Sequence, residues 1–321
     1  MERCTFSETE IIRRCLGAAF PEGHLGGDQY GNKVLRLDAE VVVKYGVGVT
    51  KDEAVNQEKA RELLDPKIVR VPKVYSFFED DSSRGYLVME FMEGDLKESI
   101  SEASEIRKLS AILDHFAGIK SSKPGALGEG PSRALIFGQS DPPTFKTIQE
   151  LEEWFNDRLL EPTSKLTLAG SELILCHLDL FLRNILWAKD QPPCLLDWAS
   201  AGFFPRILER CSHLIKPQPE SWQVVLNIQI STIEKFQCDL ITKAWSNNER
   251  YSLYGPFPHI LNRPLLMPLS SSKNNYYAES YNCNIGRSAT VTPPPSPPPY
   301  PIDWLEEFWR EREQNSGRAR E

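Results

Sequence analysis

Near the middle of the chain, His177-x-Asp179-x4-Asn184 is followed thirteen residues later by Asp197, so two carboxylates and a carboxamide stand at two fixed intervals. Hard oxygen donors of this kind suit Mg²⁺, which binds through one or two protein carboxylates, keeps several waters and takes further ligands from substrate phosphates. A second signal lies upstream. Lys44 ends the run Val41-Val42-Val43, and an ammonium there is costly to bury unless an anion partners it. The oxygen-bearing frame can hold a nucleotide and its metal, and Lys44 calls for an anionic partner. Each signal has a plainer reading too: the His-x-Asp-x4-Asn pattern recurs by chance, an aspartate after an apolar strand commonly caps a helix or turn, and an edge-strand lysine can snorkel to water.

The flanking sequence must position these groups. Leu173-Ile174-Leu175 leads in. Asn184-Ile185-Leu186-Trp187 and Cys194-Leu195-Leu196-Asp197-Trp198 are apolar runs joined by Lys189-Asp190-Gln191-Pro192-Pro193, which is turn chemistry. The two runs read as a hairpin, with Asn184 and Asp197 at one end and Asp179 on the loop just before. Upstream, β-rich runs at 34–37 and 41–45 follow a glycine cluster, Gly26, Gly27 and Gly31, whose backbone can approach phosphate oxygens closely. Thr50-Lys51-Asp52-Glu53 is a capping box that opens a helix over about 51–64, ending before Pro66. On that helix Glu53 shares a face with Gln57, Ala60 and Leu64. Glu53 is therefore the favoured partner for Lys44, with Glu58 as the alternative and a pure capping role as the third reading. Strands are expected at 70–75 and 85–94, around a polar turn. The hydrophobic period then lengthens to about three and a half. Ile106, Leu109, Ile112, Leu113 and Phe116 mark one helix; Ile148, Leu151, Phe155 and Leu159 mark another, entered by Thr147-x-x-Glu150. Between them, 120–143 is rich in Gly and Pro, and 222–241 holds further helical candidates.

The segments HLDLFLRN and LLDWASAGFFP resemble the catalytic loop and metal-binding aspartate of the aminoglycoside phosphotransferase family, in its fungal-type branch, within the protein-kinase-like superfamily. The chain departs from that family at Leu178, where Gly or Arg is usual. The resemblance spans roughly 26–209. It implies an α+β, two-lobed, protein-kinase-like fold: a small antiparallel β-sheet lobe with one helix, then a mainly helical lobe carrying the catalytic hairpin. It also implies ATP and Mg as cofactors, Asp179 as catalytic base, Asn184 and Asp197 as metal ligands, and His177 as a structural residue under the loop. Lys44 would hold the α/β-phosphates and Glu53 would orient it. Gly31 would belong to the phosphate loop. The Glu90 carbonyl and Met92 N–H would meet the adenine edge, with Met89 in the gatekeeper place. The Gly/Pro-rich stretch resembles a PG-x-hG insert whose role does not follow from the sequence.

Composition narrows the classes. With 321 residues the chain is long enough for two lobes, and its net charge of −8 carries no basic footprint for nucleic acid. Seven cysteines without a CxxC pair read as reduced thiols, hence a cytoplasmic setting. No stretch of eighteen apolar residues and no leader-like N-terminus is present, so neither membrane spanning nor secretion is expected. The expected organisation is a small lobe at 1–92, a helical lobe at 93–261, a Ser/Asn/Pro-rich linker at 262–301 and a short amphipathic helix at 302–321. In that last helix Trp304, Leu305, Phe308 and Trp309 form one stripe, expected to dock back onto the large lobe in preference to a protein partner. The expected function is Mg- and ATP-dependent phosphoryl transfer to a hydroxyl of a small molecule. An inactive kinase-like binding module is the alternative. A protein kinase is a second one, disfavoured because no APE-type element follows Asp197.

Overall fold

The computed structural model describes residues 6–17, 23–27, 31–138, 141–161, 165–215 and 231–251. In chain order the first part holds α1 (Glu8–Leu16), β1 (His24–Gly27), β2 (Lys33–Arg36), β3 (Val41–Gly46), α2 (Lys51–Leu63), β4 (Val74–Glu79) and β5 (Gly85–Glu90). The five strands form one antiparallel sheet in the order β1-β2-β3-β5-β4. Side chains along a strand alternate between its two faces. On β3, Val41, Val43 and Tyr45 therefore share a buried cluster with Leu35, Tyr86, Val88 and residues Ile11 and Cys15 of α1. Val42 faces the other way, among Ala54, Leu87 and Met89. Lys44 has the parity of Val42 and so points to the α2 side. This alternation is what delivers an ammonium to α2. The sheet carries a second helix, α1, besides the one expected; Ser7 caps it, and its Ile11 and Cys15 cover the face that α2 does not.

Only half of the capping box at Thr50 forms: Thr50 Oγ1 accepts from the Glu53 N–H, while the Glu53 carboxylate turns to Lys44 instead of the Thr50 N–H, and α2 buries Glu53, Ala54, Asn56, Gln57 and Ala60. The strand expected at 70–75 begins only at Val74. Arg70 instead bridges to Cys194, giving its N–H to Pro193 O at 2.8 Å and its carbonyl to the Leu195 N–H at 2.9 Å.

The second part holds α3 (Ala103–Gly118), β6 (Lys120–Ser121), β7 (Gly125–Ala126), α4 (Ile148–Asn156), β8 (Leu173–Cys176), β9 (Ile185–Leu186), β10 (Cys194–Leu195), β11 (Gly202–Pro205), α5 (Ile207–Ile215) and α6 (Thr232–Tyr251). β9 and β10 are the expected hairpin, paired Ile185 to Leu195 and Leu186 to Cys194. The Gly/Pro-rich stretch supplies two short strands to a second antiparallel sheet, ordered β6-β8-β11-β7. Phe137, Leu151, Phe155, Leu178, Phe204, Leu208 and Ile241 pack together as the core of this part. Of the helical candidate at 222–241, residues 222–230 lie outside the described residues, and the rest belongs to the helix Thr232–Tyr251. The linker at 262–301 and the helix at 302–321 lie outside the described residues. No helix among the described residues is long and apolar enough to cross a membrane.

Candidate active site

The site is assembled on Lys44. Its Nζ lies 2.6 Å from Glu53 Oε1 and 3.0 Å from Asp197 Oδ1, so one ammonium joins β3, α2 and the end of the hairpin. Glu53 is 2% exposed and shares the buried face of α2, whereas Glu58 is exposed; the pairing is with Glu53. Burial would push Lys44 down, but Glu53 and Asp197 together outweigh it and hold its pKa above the usual lysine value. Burial would likewise raise the Asp197 carboxyl, and Lys44 reverses that too, keeping it below the usual carboxylate range. Asp197 itself sits in the left-handed region, φ 62°, which ends the hairpin sharply and turns its side chain toward Lys44.

The loop between β8 and β9 carries the other predicted groups. Arg183 Nη2 donates to both Asp179 carboxylate oxygens, at 2.6 and 2.8 Å. Asn184 Nδ2 donates to the Asp179 carbonyl at 2.8 Å and to Oδ2 at 2.7 Å, which leaves its Oδ1 as the atom suited to a cation. Burial pushes the Asp179 carboxyl up, Arg183 opposes it, and the nearby Asp197 charge adds to the rise. His177 is fully buried under the loop. Its Nε2 lies 3.0 Å from the Leu196 carbonyl, its Nδ1 faces the Asp179 N–H at 3.3 Å, and its ring meets Trp198 at 4.7 Å. A carbonyl on one side and an N–H on the other specify the neutral Nε2–H tautomer. Burial accordingly pushes this imidazole down to about 4.

Leu178, the departure from the family pattern, has φ 60°, a backbone state that glycine adopts without cost. Two contacts hold it there. Its side chain is 1% exposed in the core of the helical part, and the Glu209 carboxylate on α5 accepts from the backbone N–H groups of His177, at 2.7 Å, and Leu178, at 3.0 Å.

The remaining expected residues lie apart from this cluster. Glu90 ends β5, with its N–H on Lys73 O at 2.8 Å and its side chain accepting from the Lys73 N–H at 3.0 Å. Met92 follows two residues later on the segment that leads to Asp95, and Asp95 and Trp187 exchange backbone hydrogen bonds at 2.8 and 2.9 Å. Gly31 stands just ahead of β2. Gly26 and Gly27 belong to β1, not to the turn. Sequence reasoning missed Arg183, Glu209 and Asn56. Their partners are the Asp179 carboxylate and, for the other two, backbone groups more than thirty residues away, which no periodicity reveals.

Among the described residues, no cluster of three or more His, Cys, Asp or Glu is arranged to hold a metal. Asn184 Oδ1 and Asp197 are hard oxygens at the ends of one hairpin, a donor pair that fits Mg²⁺ completing its shell with phosphate and water.

A model of the phosphotransferase enzyme family matches residues 24–223. Among solved structures, the chain is similar to a thermostable mutant of the aminoglycoside phosphotransferase APH(4)-Ia in ternary complex with AMP-PNP and hygromycin B, with TM-score 0.48, 14% identity, and coverage of 77% of this chain and 91% of that chain. It is also similar to wild-type aminoglycoside 2'-phosphotransferase-IIIa in a GDP complex, with TM-score 0.42, 14% identity, and coverage of 79% and 94%. A search of the curated proteins found no match.

Proposed function

Because the chain belongs to the phosphotransferase enzyme family, we propose that it transfers the γ-phosphoryl group of ATP to a hydroxyl of a small molecule. The observation that carries this reading is the single ammonium of Lys44 held between Glu53 and Asp197, with Asp179 and Asn184 bonded to each other on the neighbouring loop. Lys44, fixed by Glu53, takes the α/β-phosphate oxygens. Asn184 Oδ1 and Asp197 would hold Mg²⁺, which when bound neutralises charge on the phosphate chain. Asp179 accepts the proton of the acceptor hydroxyl, and Asn184 Nδ2 orients the carboxylate for that task. Arg183 opposes the burial of Asp179 without cancelling it, which favours the ionised form that a base requires. The Glu90 carbonyl and Met92 N–H receive the adenine edge, and the backbone near Gly31 approaches the phosphates.

The path of the chain after Asp197 favours a small acceptor over a polypeptide. It passes through one short turn, Trp198–Ser200, straight into β11 and α5, leaving no segment between them on which a peptide could be laid out. Incubating the purified protein with Mg·ATP and a panel of hydroxyl-bearing metabolites, read by mass spectrometry, tests the proposal. Phosphorylated product that disappears in Asp179→Ala supports it. Nucleotide binding without turnover across the panel points to a binding module instead.

A further inference from the structure

The Gly/Pro-rich stretch between α3 and α4 has no part in the chemistry above, yet it reaches the site through one side chain. Asn56, on α2 one turn beyond Glu53, is fully buried. Its Oδ1 accepts from the Gly128 N–H at 2.7 Å, and its Nδ2 donates to the carbonyls of Trp198 and Ala199, each at 3.2 Å. Both amide protons and the amide oxygen are thus used, and the reversed orientation would set oxygen against two carbonyls. The stretch is fixed to the same segment a second time. The Leu127 N–H donates to the Ala201 carbonyl at 3.1 Å, and β7 pairs with β11 from Ala126 to Gly202. The glycines are steric necessities here: a Cβ on Gly128 would lie 2.7 Å from Val55 Cγ1, and one on Gly202 would lie 2.3 Å from the Gly125 carbonyl oxygen.

We propose that Asn56 is a positioning residue and that the turn at 125–128 is its brace, the two together fixing α2, and with it Glu53 and Lys44, against the turn that carries Asp197. The functional consequence rests on the phosphotransferase reading; the mechanical coupling does not. Three segments meet at one fully buried amide, so a shift of α2 relative to Asp197 must first break at least three hydrogen bonds. Glu53 sets the position of Lys44 from α2, and Asn56 sets the position of α2 from residues 198–199.

Two readouts on the full chain test this. Asn56→Leu preserves volume and removes every bond; Asn56→Asp keeps the acceptor for Gly128 but turns oxygen toward both carbonyls. Ile11→Val, buried between α1 and the sheet face that α2 does not cover, is the control for a general loss of stability. The first readout is amide hydrogen exchange without ligand. The proposal expects faster exchange in 51–63 and in 198–202 together; acceleration of α2 with 198–202 unchanged overturns it. The second is the Kd for Mg·AMP-PNP at a temperature where all proteins are folded. It should weaken by about tenfold or more in the Asn56 variants, the size typical of lost support around a metal ligand, and stay within about twofold in the control. An unchanged Kd in a folded Asn56 variant also overturns the positioning role. Should Asn56→Asp not fold, Asn56→Leu carries both readouts. A wild type that binds no Mg·AMP-PNP counts against the phosphotransferase reading, and exchange alone then decides the brace.

Discussion

Replacing Glu53 by Gln removes the buried carboxylate that faces Lys44 while keeping its shape. At an effective dielectric constant of about 20, a carboxylate 2.6 Å from Lys44 Nζ attracts it by roughly 6 kcal/mol before the opposing cost of desolvation; Asp197, at 3.0 Å but with its side chain 37% exposed, is screened by water and contributes less. Breaking one partner of a buried pair costs about 3–5 kcal/mol, and because Asp197 still accompanies the ammonium the lower end, about 3 kcal/mol, is expected. At about 2–4 °C per kcal/mol for a protein of this size, Tm should fall by roughly 6–12 °C. Lys44 would then lean on Asp197, the proposed metal ligand, so kcat/KM for Mg·ATP should drop by about two orders of magnitude, equivalent to roughly 3 kcal/mol of transition-state stabilisation. Differential scanning calorimetry and steady-state kinetics give the two numbers. Glu58→Gln is the internal control, because Glu58 is exposed. If Glu53→Gln melts and turns over like the wild type, or if Glu58→Gln reproduces its losses, Glu53 is not what holds Lys44 in place.

Three other outcomes follow from the geometry. Asp179→Asn should lower kcat by orders of magnitude with little change in nucleotide Kd, whereas Asp197→Ala should chiefly weaken Mg·ATP binding; equal loss of nucleotide affinity in both would contradict the assigned roles. Leu178→Gly relieves a left-handed backbone at a gain of about 1–2 kcal/mol but empties a buried site worth about 2–5 kcal/mol, so urea unfolding should show a net destabilisation of up to roughly 4 kcal/mol; a stabilised variant would mean that backbone strain dominates. His177 should stay neutral in the folded state down to about 4 while its unfolded form protonates near 6.5. In that window the unfolded chain binds the extra proton, so this residue withdraws stability as pH falls from 6.5 toward 4, by roughly 3 kcal/mol in all. An NMR titration showing the His177 ring protonating near pH 6.5 would refute its buried, neutral assignment.

The parts of the site that were legible from sequence share one property: local spacing encodes them. The alternation of Val41, Val42, Val43 and Lys44 fixes which face the lysine takes, the capping box at Thr50 fixes where α2 starts, and from that start the helical period places Glu53 on the packed face. The hairpin could be read from two apolar runs and a Pro-rich turn. Asn56 and Glu209 could not, because each is an ordinary polar residue on a helix whose partners are backbone groups brought near only by tertiary packing. Arg183 sits beside residues already singled out, but its pairing with Asp179 depends on the short helical turn Leu182–Asn184, which no apolar period announces. Strands β6 and β7 are two residues each, too short for any alternation to show. α1 was missed for a different reason: it is short and largely charged, and it is only when the sheet's second face exists that Ile11 and Cys15 have something to cover.

The amide of Asn56 also sets a timetable. Its carbonyl partner at Trp198 is 142 residues further along the chain. At synthesis rates of about 5–20 residues per second, α2 therefore emerges from the ribosome roughly 7–28 s before the segment that completes it. Throughout that interval the Asn56 amide lacks its two carbonyl partners, and Lys44 has Glu53 beside it but not Asp197. Contacts of such long sequence separation close late, after the local helices and hairpins have formed. The nucleotide-side framework is thus made early and finished late, and a nascent chain halted before residue 198 should be a ready client for holding chaperones, whereas one released with α6 complete should not.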